Sequence, residues 1–360
     1  MIKPIFGCVT LYLTLILGTM SCSNGLVPDS PELASPAPTP VPIPAKSYDH
    51  IMPATPLPAP TPLLITEEKV SPMGKDIAKV NYPPAPTKEP AKKLSVEFPL
   101  KVLDRDGNTL IFTQPPERII VYDAAAVETI FALGQGHRII GTHSWVSYPK
   151  EAENIEKVGD AFNMDIEHIV ALDPDLVFLF YPTFKEELEK AGLKVLLLES
   201  VDDNLMKMSS NFRVWGQITN APNEAESLAK DFENRVQRIE SILAPYHSGP
   251  SVFQDVGDLW TPGDNTLMGN VFKLLKLHNI SHDVDNYGQM SPEVIIDRNP
   301  QILISTDPNS LYQNPAFKEL LPIKNKSIFK SNDDYLGISG PRFILGIEEL
   351  AFEFYPGLFK

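Results

Sequence analysis

Residues 164–178 read MDIEHIVALDPDLVF, and residues 290–304 read MSPEVIIDRNPQILI. In both stretches a Met is followed three residues later by a Glu, and that Glu is followed seven residues later by a Pro. Aliphatic and β-branched residues follow each Pro, which is typical of a short helix leading into a buried strand. Two copies of one helix–strand unit predict two similar lobes.

Each copy carries the signals of a capped helix. Asp165 and Ser291 are suitable N-cap residues, and Pro292 falls at the first helical position, where its missing N–H is tolerated. Glu167 and Glu293 fall in the first turn, where the helix dipole favours a carboxylate by ~0.3–1 kcal/mol. The residues alone therefore support both a stabilising role and a recognition role for the two glutamates.

The first residues have the pattern of a secretory signal, with one early Lys and an apolar run over residues 5–17 that is short for a membrane span. Thr19-Met20-Ser21-Cys22 resembles a lipobox, although Thr19 stands where Leu is typical. Because Cys8 lies inside the apolar run, Cys22 would be the only Cys of the mature chain, and we expect it to be lipidated. An ordinary signal peptide and an uncleaved anchor are the alternatives.

Roughly half of the chain's 35 prolines lie between residues 26 and 93, a composition that favours extended polyproline II over packed structure. We interpret this segment as a stalk. The predicted organisation is a signal peptide over 1–22, a stalk over 23–93, an α/β lobe over 94–202, a helical linker over 203–246 and a second α/β lobe over 247–360. The formal net charge of −15 argues against nucleic acid as the main partner.

Strand and helix patterns alternate through the rest of the chain, which predicts α/β lobes with mostly parallel sheets covered on both faces. The segment 222–243 has one apolar stripe at helical spacing and would be some 30 Å long at ~1.5 Å per residue, enough to join two lobes. The other predicted elements are a hairpin over 96–112, strands over 118–122, 138–142, 176–180, 194–198, 302–304 and 327–329, a strand from 251, and helices over 125–133, 184–191, 204–219, 267–277 and 341–354.

Short motifs through the whole folded region resemble those of the class III periplasmic substrate-binding proteins of ABC importers, the family that carries cobalamin, ferric siderophores and haem. The matching motifs are Pro116-Glu117-Arg118-Ile119-Ile120-Val121, Glu128-Thr129-Ile130-Phe131-Ala132-Leu133-Gly134, Ile140-Gly141, Tyr148-Pro149, Val158-Gly159, Glu167 with Asp173-Pro174-Asp175-Leu176-Val177, Thr266-Leu267, Asn279-Ile280, Ser291-Pro292-Glu293 and Gly340-Pro341-Arg342. Their order and spacing carry the resemblance more than any single motif does.

The resemblance implies two Rossmann-like lobes joined by a single long helix, with the ligand held in the cleft between them. It also implies that Glu167 and Glu293, one on each lobe, dock onto arginines of the importer's permease dimer, which works with its ATPase subunits. We expect a monomer that binds no nucleic acid, requires no cofactor and reaches the membrane only through its lipid anchor.

In the cobalamin binders of this family, aromatic side chains of both lobes flank a flat corrin ring. The stretches that match carry the candidate ligand residues Trp145, Tyr148, Phe162, Phe180, Tyr181, Trp260, Tyr287 and Tyr335. Phe162 is included because Ala161 stands where cobalamin binders have Trp. Asp334 could accept a hydrogen bond from ligand amides or cap a turn, and Arg342 could hold an anionic group or a carboxylate of its own lobe.

Other ligands and other classes of protein are alternatives to a cobalamin-binding protein. Haem needs an axial ligand, for which Tyr122, Tyr181 and His143 are candidates, and an anionic ferric siderophore calls for cations, of which only Arg342 is at hand. A zinc or manganese site needs about three converging His, and the seven His are scattered.

An enzyme is the alternative from another class, but the sequence lacks the usual nucleophile and phosphate-binding motifs. Asp123 and Glu128 are explained by the needs of a turn and a helix. A surface scaffold would leave the paired glutamates without a role.

Overall fold

The computed structural model describes residues 93–160, 163–198 and 204–359. The predicted signal peptide, Cys22, almost all of the predicted stalk and Phe162 lie outside the described residues. Among the helices of these ranges, none combines the length and the apolar composition needed to cross a membrane.

An antiparallel hairpin opens the described chain. Its strands β1 (Leu100–Leu103) and β2 (Thr109–Phe112) pair in register around Gly107, whose φ is +85°. Glycine adopts this left-handed conformation without steric cost, which is why Asp106-Gly107 makes a tight turn here. The predicted hairpin is confirmed.

A five-stranded parallel sheet, in the order β5-β4-β3-β6-β7, forms the centre of the first lobe. Its strands are β3 (Ile119–Val121), β4 (Ile139–Thr142), β5 (Glu156–Lys157), β6 (Leu176–Leu179) and β7 (Val195–Leu197). Its helices are α1 (Ala124–Ala132), α2 (Ile166–Ala171) and α3 (Lys185–Lys190). Every residue of β3, β6 and β7 is buried because helices cover both faces, as the continuous apolar runs predict.

Two antiparallel helices follow, α4 (Met206–Ile218) and α5 (Pro222–Leu243). Helix α5 has the bounds that its periodicity predicts. Its buried stripe enters both hydrophobic cores, since Ala225 packs in the core of the first lobe and Phe232 in that of the second, while Leu228 contacts both. The long helix therefore connects the two lobes through apolar packing.

The second lobe is built on a four-stranded parallel sheet in the order β10-β8-β12-β13. Its strands, with the two of an antiparallel β9–β11 ribbon, are β8 (Ser251–Asp255), β9 (Trp260–Pro262), β10 (His278–Asn279), β11 (Tyr287–Gln289), β12 (Ile302–Ser305) and β13 (Phe329–Lys330). Its helices are α6 (Leu267–Leu274), α7 (Pro292–Arg298), α8 (Pro308–Gln313), α9 (Leu321–Lys324), α10 (Asp333–Leu336) and α11 (Phe343–Phe354).

The repeated unit is present in both lobes as α2–β6 and α7–β12. The Asp165 carboxylate and the Ser291 hydroxyl each accept a hydrogen bond from the backbone N–H three residues on, at 2.9 and 3.5 Å. Each helix is followed by a residue in the left-handed region, Asp173 at φ 48° after α2 and Asn299 at φ 43° after α7. Asp and Asn tolerate this conformation, and the Pro that follows each prevents the helix from continuing.

Several predicted boundaries are wrong by a few residues, including that of α4, which covers 206–218 where 204–219 was expected. Helix α6 ends at Leu274 and not at residue 277, because Lys276 adopts a left-handed φ of 57° before β10 begins. Helix α11 begins at Phe343, two residues later than predicted, and β13 covers residues 329–330 where 327–329 was expected.

Candidate ligand-binding site

The predicted ligand residues of the first lobe follow the carboxyl ends of its parallel strands. Trp145 and Tyr148 come after β4, and Phe180 and Tyr181 come directly after β6. Trp145 is 72% exposed, and Tyr148 and Tyr181 are each 44% exposed, which is unusual for large aromatic side chains. This edge of an open parallel sheet is where α/β proteins bind their ligands.

Arg342 joins the two lobes through an ion pair with Glu128 of α1. Its Nε donates to Glu128 Oε2 at 3.1 Å, and the other side of the guanidinium donates to Oε1, so the contact is bidentate. The side chain of Glu128 is only 2% exposed, and that of Arg342 is 15% exposed. Burial raises the pKa of Glu128, and Arg342 counteracts this rise.

Two predicted ligand residues stack on the same guanidinium. The Arg342 Cζ lies 3.5 Å from the ring centroid of Tyr148 and 5.6 Å from that of Tyr335. Tyr148 belongs to the first lobe and Tyr335 lies on α10 of the second. The structure therefore brings Tyr148, Tyr335 and Arg342 together, with Glu128 behind them, and we refer to these four residues as the inter-lobe cluster.

The loop before Arg342 approaches α1 closely. A Cβ atom on Gly340 would lie 3.2 Å from Glu128 Oε2 and 3.3 Å from the Cα of Ala125, tighter than ordinary van der Waals contact. The motif Gly340-Pro341-Arg342 thus carries a glycine where the two lobes touch.

Two expectations from the sequence need correction here. Arg342 pairs with a carboxylate, but that carboxylate belongs to the other lobe and not to its own. Glu128 was explained by helix needs, whereas its side chain serves the contact between lobes. A single charged residue, Glu128, in the mostly apolar stretch AVETIFAL was the available signal, because a charge buried among apolar residues requires a partner.

A second pair of predicted residues, Trp260 and Tyr287, lies on the β9–β11 ribbon. Tyr287 is opposite Pro262 and Trp260 is opposite Gln289, so the two aromatic residues are diagonal neighbours on one face of the ribbon. Tyr287 is 42% exposed. The sequence predicted both residues but gave no sign that they are paired.

The remaining predicted residues occupy separate positions. The rings of Phe180 and Tyr181 lie 6.4 Å apart. Asp334 is exposed, and its backbone N–H donates to the Asn332 side chain, so Asn332 and not Asp334 caps this turn.

Two of the three candidate haem ligands are buried. The Tyr122 hydroxyl donates to the carbonyl of Asp160 at 2.6 Å, and burial raises the pKa of Tyr122. The Nδ1 of His143 accepts from the backbone N–H of Trp145, and burial lowers the pKa of His143. Tyr181 alone of the three is well exposed. In the described ranges, no group of three or more His, Cys, Asp or Glu side chains is arranged to hold a metal ion.

A small cavity of about 20 Å³ lies beside the N-terminal part of α1, with room for about one water molecule. Its lining includes Asp123 and Thr129 of the first lobe, Trp215 of α4 and Ser339 of the second lobe. Asp123 caps α1 by accepting from the backbone N–H groups of Ala125 and Ala126. Burial raises the pKa of Asp123 to about 6, although these hydrogen bonds act in the opposite direction.

Glu167 and Glu293 are exposed in the first turns of α2 and α7. Neither makes an ion pair with a residue in the described part of the chain. The pKa of Glu293 lies below its usual value because its own backbone N–H and the Ser291 hydroxyl stabilise the carboxylate. The predicted docking residues thus present exposed carboxylates at equivalent positions of the two lobes.

The chain has two α/β lobes, each built on a parallel sheet, and a single long helix that connects them. With exposed aromatic residues at the strand ends, this is the architecture of a class III periplasmic binding protein. The profile of the family described as "Periplasmic binding protein" matches residues 119–335. The chain belongs to this family, and it is a solute-binding protein of the extracytoplasmic space rather than an enzyme.

Individual relatives agree with this assignment. The chain is 27% identical over 292 residues to the uncharacterized ABC transporter substrate-binding lipoprotein YvrC of Bacillus subtilis, covering 77% of this chain and 92% of that protein. It is 26% identical over 248 residues to the vitamin B12-binding protein of Pectobacterium atrosepticum, covering 66% of this chain and 88% of that protein. The crystal structure of a possible iron-binding periplasmic protein from Staphylococcus epidermidis superposes with a TM-score of 0.59 at 26% identity, covering 67% of this chain and 100% of that one.

Proposed function

We propose that this protein captures cobalamin or another corrinoid in the cleft between its lobes and delivers it to an ABC importer. The observation that carries the proposal is the inter-lobe cluster, in which two tyrosines of opposite lobes stack on an arginine whose charge is already neutralised by Glu128. The cleft then offers aromatic surface without a free cation at this point.

The aromatic residues suit a large flat ligand. Trp145, Tyr148, Tyr181 and Tyr287 are all more than two-fifths exposed, and they stand on both lobes. Rigid aromatic faces bury a planar ring at a small cost in side-chain entropy. Asp334, which is exposed beside Tyr335, supplies an acceptor for the amide groups that surround a corrin ring.

The charges near the cleft favour an amide-rich ligand over an anionic one. Arg342, the one cation among the predicted ligand residues, is held by Glu128, and Asp123 and Asp334 lie nearby. An anionic ferric siderophore or the propionates of haem would meet carboxylates here, which is unfavourable at short range.

An iron ligand is the second candidate. The Staphylococcus epidermidis relative is described as a possible iron-binding protein, and the exposed Tyr181 could ligate haem iron. The burial of Tyr122 and His143 makes both of them poor axial ligands, because their side chains are committed to neighbours. The vitamin B12-binding relative and the paired Arg342 favour the corrinoid.

The delivery step rests on the two exposed glutamates. Two equivalent carboxylates on two similar lobes fit a permease dimer that presents the same basic surface twice. We also propose that lipidated Cys22 and the Pro-rich stalk over residues 23–93 attach the binding domain to the membrane, as in the Bacillus subtilis relative, which is named a lipoprotein.

Tryptophan fluorescence of the intact chain, titrated in parallel with cyanocobalamin, haemin and a ferric hydroxamate, tests the ligand. We expect saturable quenching by cyanocobalamin, and weaker quenching in Trp145→Ala. Trp215, which is only 2% exposed, provides the fluorescence that should remain. Quenching by haemin or the hydroxamate without any response to cyanocobalamin would overturn the corrinoid proposal.

A further inference from the structure

Glu128 is a buried acid that is not among the proposed ligand contacts. It lies on α1 among apolar residues of the first-lobe core, and its side chain is 2% exposed. Burying a carboxylate is costly unless it is paired, and its partner here, Arg342, comes from the other lobe. The residues are separated by 214 positions in the chain.

Arg–Glu contacts of the same chemistry occur elsewhere in the chain, and one of them provides a comparison inside a single lobe. Arg235 of α5 donates to Glu348 of α11 at 2.8 Å, also from its Nε. That pair joins two helices that share the second-lobe core, and no aromatic ring of the predicted site stacks on it in the described part of the chain. Arg342, in contrast, carries an aromatic ring of each lobe.

We propose that Glu128 is a positioning residue for the ligand cleft, which acts by fixing the guanidinium of Arg342 and thereby the rings of Tyr148 and Tyr335. The inference rests on the proposed ligand site and extends it, because it assigns a role in binding to a residue that does not touch the ligand. Each oxygen of Glu128 accepts from one side of the planar guanidinium, so the plane on which Tyr148 stacks has a single orientation.

The approach of the loop at Gly340 supports this arrangement independently of the ion pair. With only 3.3 Å between a Cβ at position 340 and the Cα of Ala125, the backbone of the second lobe is already at contact distance from the backbone of α1. The lobes are therefore held together at this end of the cleft, and the aromatic rings are set before a ligand arrives. A preorganised site of this kind binds more tightly because fewer side chains must be ordered on binding.

A double-variant cycle on the intact chain tests the proposal, with cyanocobalamin as the probe. We expect Glu128→Gln and Tyr148→Leu each to weaken binding about 10-fold, and the double variant to be weakened by about the same factor rather than about 100-fold. Glu348→Gln, which breaks the matched pair inside the second lobe, should leave affinity unchanged. A wild-type affinity in Glu128→Gln, or additive losses in the double variant, would overturn the proposal.

Arg342→Lys provides a second variant in case Glu128→Gln does not fold. Lys keeps the charge opposite Glu128 but has no planar face for stacking, so binding should weaken although the lobes keep a charge pair between them. Unchanged affinity in this variant would contradict the proposal.

Amide hydrogen exchange of the ligand-free protein separates this proposal from the ligand assignment. Glu128→Gln should increase exchange both in α1 (Ala124–Ala132) and in residues 340–347, because the contact holds both lobes, whereas Glu348→Gln should leave α1 unchanged. If the wild-type chain does not bind cyanocobalamin, the ligand assignment fails, and the exchange result still decides whether the contact joins the lobes. Unchanged amide exchange in α1 of the Glu128→Gln variant would refute the proposal that this contact joins the lobes.

Discussion

Asp123 combines a local and a long-range role at the scale of a single residue. Its carboxylate caps α1, and it also lines the small cavity between the lobes. Burial raises the pKa of Asp123 to about 6, above the value of an unfolded chain. The native state therefore holds its proton more tightly than the unfolded state, and ionisation of Asp123 lowers stability as the pH rises from about 4 to about 6.

Asp123→Asn should accordingly stabilise the protein at neutral pH. Asn carries no charge but keeps only one of the two oxygens that accept from Ala125 and Ala126, so we expect the free energy of unfolding at pH 7 to rise by ~1–2 kcal/mol, less than removal of the charge alone would give. The gain should vanish near pH 3.5, where Asp123 is protonated in both states. Urea unfolding of the wild type and of Asp123→Asn at pH 7 and pH 3.5 measures this gain. An equal difference in the free energy of unfolding at the two pH values would contradict the raised pKa.

At this scale the sequence predicted what depends on neighbours along the chain. The caps Asp165 and Ser291 and the stop signals at Asp173 and Asn299 follow from local conformational preferences, and all four are confirmed. The contact of Glu128 with Arg342 could not be predicted in this way, because the local sequence around either residue does not identify its contact partner.

At the scale of elements, α4 and α5 pack against each other at one close point. A Cβ on Gly216 would lie 2.2 Å from the Cβ of Ala225 and 3.0 Å from the Ala221 carbonyl. Real Cβ atoms do not approach so closely, so the helices are in contact because residue 216 has no side chain. Further along, Arg213 bridges the pair by binding Glu226 and Glu233.

Gly216→Ala should force the two helices apart. We expect a loss of about 2–3 kcal/mol in the free energy of unfolding, the usual range for overpacking a tight contact. Gly357→Ala is the matched control, since its Cβ would meet nothing within 4 Å and its φ is not positive. Denaturant unfolding of both variants checks the prediction, which fails if the two losses are equal.

The elements themselves were largely predictable, for a physical reason. The bounds of α5 follow from a long apolar stripe and a Pro at the first position, and the strands β3, β6 and β7 follow from continuous apolar runs. Ends that depend on a single residue in the left-handed region, such as Lys276 after α6, were missed because Lys gives no local signal for that conformation. Pairing of β9 with β11 likewise depends on tertiary contacts.

At the scale of the whole molecule, two features resist large movements between the lobes. The apolar stripe of α5 enters both cores, and the ion pair of Glu128 with Arg342 joins the lobes away from that helix. We therefore expect ligand binding to change the separation of the lobes little. The apolar periodicity of residues 222–243 predicted the helix, whereas only the structure revealed the ion pair.

The exposed glutamates make a prediction about transport. Glu167→Ala combined with Glu293→Ala should leave cyanocobalamin affinity unchanged and reduce uptake by about 10-fold or more in cells that carry the importer, because paired carboxylates set recognition of a basic partner. The control is Glu224→Ala combined with Glu240→Ala, which removes the same charge from exposed positions of α5. Wild-type uptake in the first double variant would refute the docking role.

The central claim is that a corrinoid lies between the two lobes, against aromatic residues of both. A crystal structure of the protein with cyanocobalamin tests it most directly. We predict the corrin ring in the cleft, in contact with Tyr148 or Tyr181 of the first lobe and with Tyr335 or Tyr287 of the second, while Arg342 still binds Glu128. A ligand that contacts only one lobe, or one that displaces Glu128 to pair with Arg342, would contradict the account.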